Sequence, residues 1–255
     1  MTRDLDDIFS LYDYLDSMLS NKSFKAFVMF ASSGQSGGLE YTRFLTKILS
    51  VNLASNDLDR FFNVVNRIIL TLSTLNCVTV FAGQGTISLF YLNIGLTNDY
   101  RIIADDTVFE NPNAGVGLIT KGSGYFLPRL LGIRKAAEVL QRNSFSAQDA
   151  LEMGLVDRIV PASQLKEEAM QFVRNTLAHS SSTLLDIRKL IKCDIQELKR
   201  SLDLEDDLIK ERLRSVEFRK MFASYKSLDQ RLPSQLHNEE GRSESRNALI
   251  GAVTI

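Results

Sequence analysis

Apolar residues along this chain follow two rhythms. From Asp4 to Asn21, Leu5, Ile8, Leu11, Leu15 and Leu19 recur at helical steps, which predicts an amphipathic helix. Phe24 to Ala31 is a short apolar run that reads as a mostly buried strand. The small residues Ser32 to Gly38 then predict a flexible turn, and a second helix begins near Leu39. A third helix runs from Asn56 to Leu75, with Leu58, Phe61, Phe62, Val65, Ile68, Ile69 and Leu72 on its apolar face. Val78 to Phe81 is a strand and Gly83-Gln84-Gly85 a turn. Ser88 to Thr97 is a helix that Thr86 or Ser88 can cap. Tyr100 to Ala104 and Thr107 to Glu110 are short strands, and Asn111 to Gly124 is a glycine-rich loop.

After Ser123 the strand signal fades. Helical patterns follow at Tyr125–Leu131, Arg134–Arg142, Ala147–Met153, Gln164–Ala178 and Leu184–Lys192, and then from Gln196 to about Tyr225. Strands with intervening helices, followed by helices alone, imply an α/β core with a helical C-terminal region. The expected divisions are a core over residues 1–160, a helical region over 161–225 and a polar tail over 226–255. The tail is expected to be mobile up to Asn247, with an apolar end that docks.

Composition narrows the function classes. The chain has 255 residues, 30 basic against 31 acidic side chains, and a net charge of −1. That balance lacks the positive footprint of a nucleic-acid-binding protein. No apolar run approaches the roughly 18 residues of a membrane span, and the start of the chain does not read as a signal peptide. Two cysteines build no disulfide framework and fit a reducing, cytoplasmic setting. Cys77 and Cys193 sit in apolar surroundings and read as structural. Two histidines and two cysteines, far apart, give no metal site.

Three stretches resemble the crotonase superfamily, also called the enoyl-CoA hydratase/isomerase family. The first is Ala82-Gly83-Gln84-Gly85, a short helix, and Thr97-Asn98-Asp99-Tyr100-Arg101-Ile102-Ile103-Ala104. The second is Phe109-Glu110-Asn111-Pro112-Asn113 with Gly115, Gly117 and Leu127-Pro128-Arg129-Leu130-Leu131-Gly132. The third and most specific is the string from Ser146 to Pro161, Ser-Ala-Gln-Asp-Ala-Leu-Glu-Met-Gly-Leu-Val-Asp-Arg-Ile-Val-Pro. The resemblance implies a crotonase-like α/β fold with a ββα-repeat core and a helical C-terminal region. It implies an acyl-CoA substrate, no separate cofactor, and self-association as a homotrimer or hexamer through the C-terminal helices. The family usually has a β-hairpin before its first helix, and this chain begins at that helix.

The resemblance also implies a site. In such proteins two backbone N–H groups hold a thioester carbonyl and stabilise an enolate-like state. Here it assigns them to Ser36, or Gly37, and to Phe90 at a helix N-terminus. Leu89-Phe90-Tyr91 replaces the family's common run of glycines and can crowd the pocket. At the two positions where hydratases carry glutamates stand Asn93 and Asn113. An amide holds water but cannot take its proton at neutral pH, and loss of a general acid or base costs about 10²–10⁴ in rate. Isomerisation or decarboxylation is therefore favoured over hydration. Lys121, eight positions after Asn113, stands where some members place an acid. It is a candidate proton carrier if desolvated, and otherwise a solvated loop lysine. Glu110 is either a second group near the pocket or a solvent-facing carboxylate at a strand end. The asparagines have a plain reading too, as residues that bridge backbone.

Other signals are weaker. Gly34-Gln35-Ser36-Gly37-Gly38 fits the nucleophile elbow of a serine hydrolase with His179 or His237 as base, but small residues are common in tight turns. Gly117 to Ser123 superficially resembles a phosphate loop, with its lysine on the wrong side of the second glycine. Leu198, Leu202, Leu208, Ile209 and Leu213 form an apolar stripe read as packing or subunit contact. The leading expectation is an acyl-CoA enzyme with Asn93, Asn113 and Lys121 as its candidate catalytic residues. A catalytically inactive member kept for assembly or acyl-CoA binding comes second, and a hydrolase using Ser36 third.

Overall fold

The computed structural model of the chain describes residues 11–16, 24–32, 56–191, 193–229 and 250–251. Residues 11–16 are helical, with Leu11 and Leu15 buried. The second helix expected near Leu39, the turn at Ser32 to Gly38 beyond Ser32, and most of the tail lie outside the described residues.

A five-stranded sheet forms the centre, in the order β7-β4-β2-β1-β8. Its strands are β1 (Ala26–Ser32), β2 (Val78–Gln84), β4 (Tyr100–Ala104), β7 (Arg158–Val160) and β8 (Ile250–Gly251). All neighbours are parallel except β8, which pairs antiparallel with β1 at Val28 and Met29. A smaller sheet holds β3 (Thr86–Ser88), β5 (Val108–Glu110) and β6 (Ser144–Ser146) in the order β3-β5-β6. The strand pairs β2–β3 and β4–β5 each put one strand in the large sheet and the next in the small one. Each pair leads into a helix, α2 (Leu89–Gly95) or α3 (Pro112–Val116), and this is the ββα repetition that the resemblance implies.

The large sheet is covered on both faces, so its strands are apolar on both sides. Phe27, Met29, Phe81 and Ile103 face one layer, which includes α1 (Asn56–Thr74) and α2. Ala26, Val28, Val78, Val80, Ala82, Ile102 and Ala104 face the other. There they meet Leu165, Ala169 and Val173 of the long helix α7 (Leu165–Ile191). Alternate residues of one strand thus serve two cores, as the two-residue period of a strand requires. Between the sheets, Gly95 at the end of α2 lies against the buried Phe81 ring. A Cβ there would sit 2.9 Å from the ring, so only glycine lets this helix approach the sheet so closely.

The Ser146 to Pro161 string has a mechanical reading. Ser146 and Asp149 form a reciprocal capping box at the start of α6 (Ala147–Met153). Gly154 ends that helix at φ +80°, in the left-handed region. Asp157 then accepts hydrogen bonds from the Arg101 backbone N–H (2.7 Å) and guanidinium (3.0 Å), which sets β7 beside β4. Asp99 ties β4 to β2 in a similar way, accepting from the Thr79 N–H (2.8 Å) and hydroxyl (3.0 Å).

Several expectations are corrected. Gly83 and Gln84 belong to β2, and the turn residue is Gly85 at φ +67°. The expected loop from Asn111 to Gly124 contains helix α3, and α4 (Ser123–Leu131) already begins at Ser123. Strand signals do not end at Ser123: β6 and β7 follow, each three residues long and too short to show a period. Helix α5 (Ile133–Gln141) matches its prediction closely. The two helices expected between Gln164 and Lys192 are one, α7, whereas the single helix expected from Gln196 to Tyr225 is two. These are α8 (Ile195–Arg214), capped by Asp194, and α9 (Val216–Asp229), separated from it by Ser215. Helix α9 runs on to Asp229, past the expected boundary at 225, and Ile250–Gly251 pairs with β1, in the apolar end expected to dock.

Candidate active site

Helix α2 is seven residues long and begins where β3 ends. Ser88 is its N-cap, with extended backbone, and its hydroxyl accepts the Tyr91 N–H at 3.4 Å. The Phe90 N–H has no acceptor among the described residues. Amides at a helix start lack intrahelical partners and carry positive potential. Leu89 is fully buried in the core, while the half-buried Phe90 and Tyr91 rings meet edge to face with centroids 5.4 Å apart.

One turn later, Asn93 is fully buried. Its Nδ2 donates to the Lys121 carbonyl (2.9 Å) and to Ser123 Oγ (2.8 Å). With both amide hydrogens engaged, the side chain is fixed, and its buried Oδ1 has no hydrogen-bond partner among the described residues. Such an orphan acceptor costs about 1–3 kcal/mol unless a donor arrives. Asn113, in α3, donates from Nδ2 to the Ile119 carbonyl (3.2 Å) and to Thr120 Oγ1 (2.9 Å). Thr120 Oγ1 in turn donates to Asn111 Oδ1 (3.2 Å). Both asparagines therefore grip the same segment, residues 117–123, from the core side.

Helix α8 grips that segment from the other side. Arg212 donates from Nε to the Gly117 carbonyl (3.1 Å). Lys121 is 5% exposed, and its Nζ donates to the Leu202 carbonyl (2.5 Å) and Asp206 Oδ1 (2.6 Å). Glu205 lies 3.8 Å from Nζ. Asp206 Oδ2 accepts from Asn66 of α1 at 2.7 Å. The two Glu205 oxygens accept the Gly122 and Gly124 N–H groups, each at 2.7 Å, at the N-terminus of α4. Gly122 has φ +84°, a conformation that favours glycine, and a Cβ there would lie a tight 3.2 Å from the Asn93 Cβ. Burial pulls the Lys121 ammonium below the usual lysine range, against the hydrogen bond and charge of Asp206 that raise it. Burial pushes Glu205 above the usual carboxylate range, against its two amide donors and Lys121.

Lys121 is thus not the solvated loop lysine: it is desolvated, as the proton-carrier reading required, and paired with Asp206. Structure brings Asn93, Asn113 and Lys121 together around one segment, and places Phe90 at the head of the helix that carries Asn93. Ser36 and Gly37 lie outside the described residues, as does the side chain of His179. Glu110 is half-buried in the small sheet, between Ser88 and Ser144. Glu205, Asp206 and Asn66 were not singled out from the sequence. The signal was there: positions 205 and 206 fall between the buried Leu202 and Ile209 of the α8 stripe, where apolar residues belong. Leu208, counted in that stripe, is 41% exposed. Among the described residues no group of three or more His, Cys, Asp or Glu is arranged to hold a metal, and no helix is long and apolar enough to cross a membrane.

Removing one partner of a buried ion pair leaves a bare charge, at a cost of about 3–5 kcal/mol. Urea unfolding of Asp206→Asn is expected to show a loss of that size. The double variant Lys121→Met/Asp206→Leu, which removes both charges, should lie within about 1–2 kcal/mol of the parent. A double variant as unstable as the single one would contradict the pairing.

The sequence matches the enoyl-CoA hydratase/isomerase family over residues 49–232. Solved structures share the fold. An enoyl-CoA hydratase from Bacillus halodurans superposes with a TM-score of 0.74 at 22% identity, covering 85% of this chain and 88% of that one. An enoyl-CoA hydratase/isomerase from Pseudoalteromonas atlantica T6c gives 0.68 at 22% identity, with 89% and 88% covered. One from Mycobacterium paratuberculosis gives 0.67 at 18% identity, with 84% and 85% covered. A family match across most of the chain, on a sheet and helix order of the same fold, is decisive: the chain belongs to the enoyl-CoA hydratase/isomerase family.

Proposed function

We propose that this chain binds an acyl-CoA thioester and stabilises the negative charge that develops on its carbonyl oxygen between two main-chain amides, those of Phe90 and of Ser36 or Gly37. The chemistry served is isomerisation or decarboxylation rather than hydration; of the two, isomerisation moves a proton between carbons and needs a carrier, whereas decarboxylation needs none to begin. The observation that carries this reading is the Phe90 N–H, without an acceptor among the described residues at the head of a capped helix. A donor held in place before charge appears stabilises the transition state with no reorganisation. Hydration would need a base beside it. Asn93 and Asn113 are neutral amides engaged with the 117–123 segment, and Lys121 donates into α8. Decarboxylation of a malonyl-type thioester begins without a base, because departure of carbon dioxide itself leaves the enolate.

A second reading is binding without turnover. It is favoured by the same commitments, since every candidate proton carrier at positions 93, 113 and 121 has a structural task. Self-association as a homotrimer or hexamer belongs to the same reading of the family. It is supported by apolar side chains left on the outer faces of the C-terminal helices, Leu190 at 85% exposed and Leu204 at 60%. Sedimentation equilibrium should give three or six times the chain mass, and a monomer mass would contradict it.

Turnover decides between the readings. Crotonyl-CoA, followed by its enoyl absorbance, should be hydrated far below the typical rate of about 10 per second. Hydration near that rate would contradict the role given to the asparagines. Decarboxylation of a malonyl-type thioester or isomerisation of an enoyl thioester should fall about 10²–10³-fold in Phe90→Pro, which lacks the N–H. Micromolar binding with no product from either would favour the second reading, and no binding of any acyl-CoA would overturn both.

A further inference from the structure

The C-terminal helix α8 reaches into the centre of the molecule at one place. On its inner face, Leu202, Glu205, Asp206 and Arg212 all bond to residues 117–124. The Glu205 carboxylate is 5% exposed and has both oxygens on backbone N–H groups. It is the N-terminal cap that α4 lacks locally, because the residue before α4 is Gly122, which has no side chain to offer. The same segment presents the Lys121 carbonyl and the Ser123 hydroxyl to Asn93 of α2. A helix of seven residues has little stability of its own, so its placement depends on such contacts.

We propose that Glu205 is a positioning residue for the acyl site: by holding the Gly122 and Gly124 amides it sets the 117–123 segment, and through Asn93 it fixes α2 and the direction of the Phe90 N–H. The role rests on the proposed acyl-CoA function. The chain of contacts is short. Glu205 holds the two glycine amides, Asn93 bonds to the residues beside Gly122 on either side, and Phe90 lies one turn before Asn93 on the same helix. A shift at Gly122 is passed on because the Lys121 carbonyl and Ser123 hydroxyl on either side of it hold the Asn93 amide by two hydrogen bonds. Glutamine fills the same space, but its amide nitrogen is a second donor facing a backbone donor, so one of the two bonds is lost.

Calorimetry with CoA and with acetyl-CoA separates positioning from mere support. CoA lacks the thioester carbonyl and the acetyl methyl, so the ratio of the two affinities reports the contacts of the acyl group, the amide donors among them. The wild-type chain should prefer acetyl-CoA. Glu205→Gln should bind CoA within about twofold of wild type yet lose the acyl preference by about tenfold or more, the size seen when an outer supporting group is removed. Glu205→Asp, which keeps the charge, should fall between the two. A folded Glu205→Gln with the wild-type ratio would overturn the positioning role and leave the acyl-CoA reading standing. A wild-type chain with no acyl preference would overturn that reading, and this role with it. If Glu205→Gln does not fold, Glu205→Asp decides: a lowered ratio with CoA affinity intact supports the role, and a wild-type ratio overturns it.

Discussion

A carboxylate in a protein interior needs donors for both its oxygens, and Glu205 finds them on the backbone of a segment 81–83 positions earlier in the chain. That pair of bonds, with the Lys121–Asp206 ion pair beside it, joins the helical C-terminal region to the α/β core. Both bonds and the ion pair act on the segment that Asn93 and Asn113 also hold. From one side the segment 117–124 is held by α8, and from the other by Asn93 and Asn113. Buried ion pairs are poor sources of net stability, because desolvation offsets their attraction. Their value here is geometric: a lysine and two acids that must meet allow one relative placement of α8 and the segment.

Asn93 and Asn113 are amides that bridge backbone, each donating to the 117–123 segment. The carboxylates that meet this segment, Glu205 and Asp206, come from α8 on its other side. On the proposed function, the developing oxyanion is stabilised by the main chain at the head of α2, and decarboxylation is the reaction such a site serves without a proton carrier.

The sequence makes the repeating architecture legible and the site only half so. Strands β1, β2 and β4 declare themselves as apolar runs, since burial on both faces favours apolar residues, with the buried Thr79 and Arg101 hydrogen-bonded to Asp99 and Asp157. The Ser146 to Pro161 string is recognisable because each polar residue has one mechanical task, as with Asp149 and Asp157. The three-residue strands β6 and β7 are too short for periodicity to reveal. Lys121 could be marked as a candidate from its position, but not its partners. Residues 121, 205, 206 and 66 come together only through the tertiary fold, and nothing local tells a buried carboxylate in Glu205-Asp206-Asp207 from a solvated one. Only the interruption of an apolar stripe gives a hint.

Polarisation of a thioester carbonyl by main-chain amides is the claim on which the proposed chemistry rests. Isotope-edited infrared difference spectroscopy of acetyl-CoA labelled with carbon-13 at the carbonyl reads that bond alone. In the bound state the carbonyl stretch is predicted to move to lower frequency than in free solution, as hydrogen bonds draw electron density onto the oxygen. A bound ligand whose carbonyl absorbs at or above the solution frequency would contradict it.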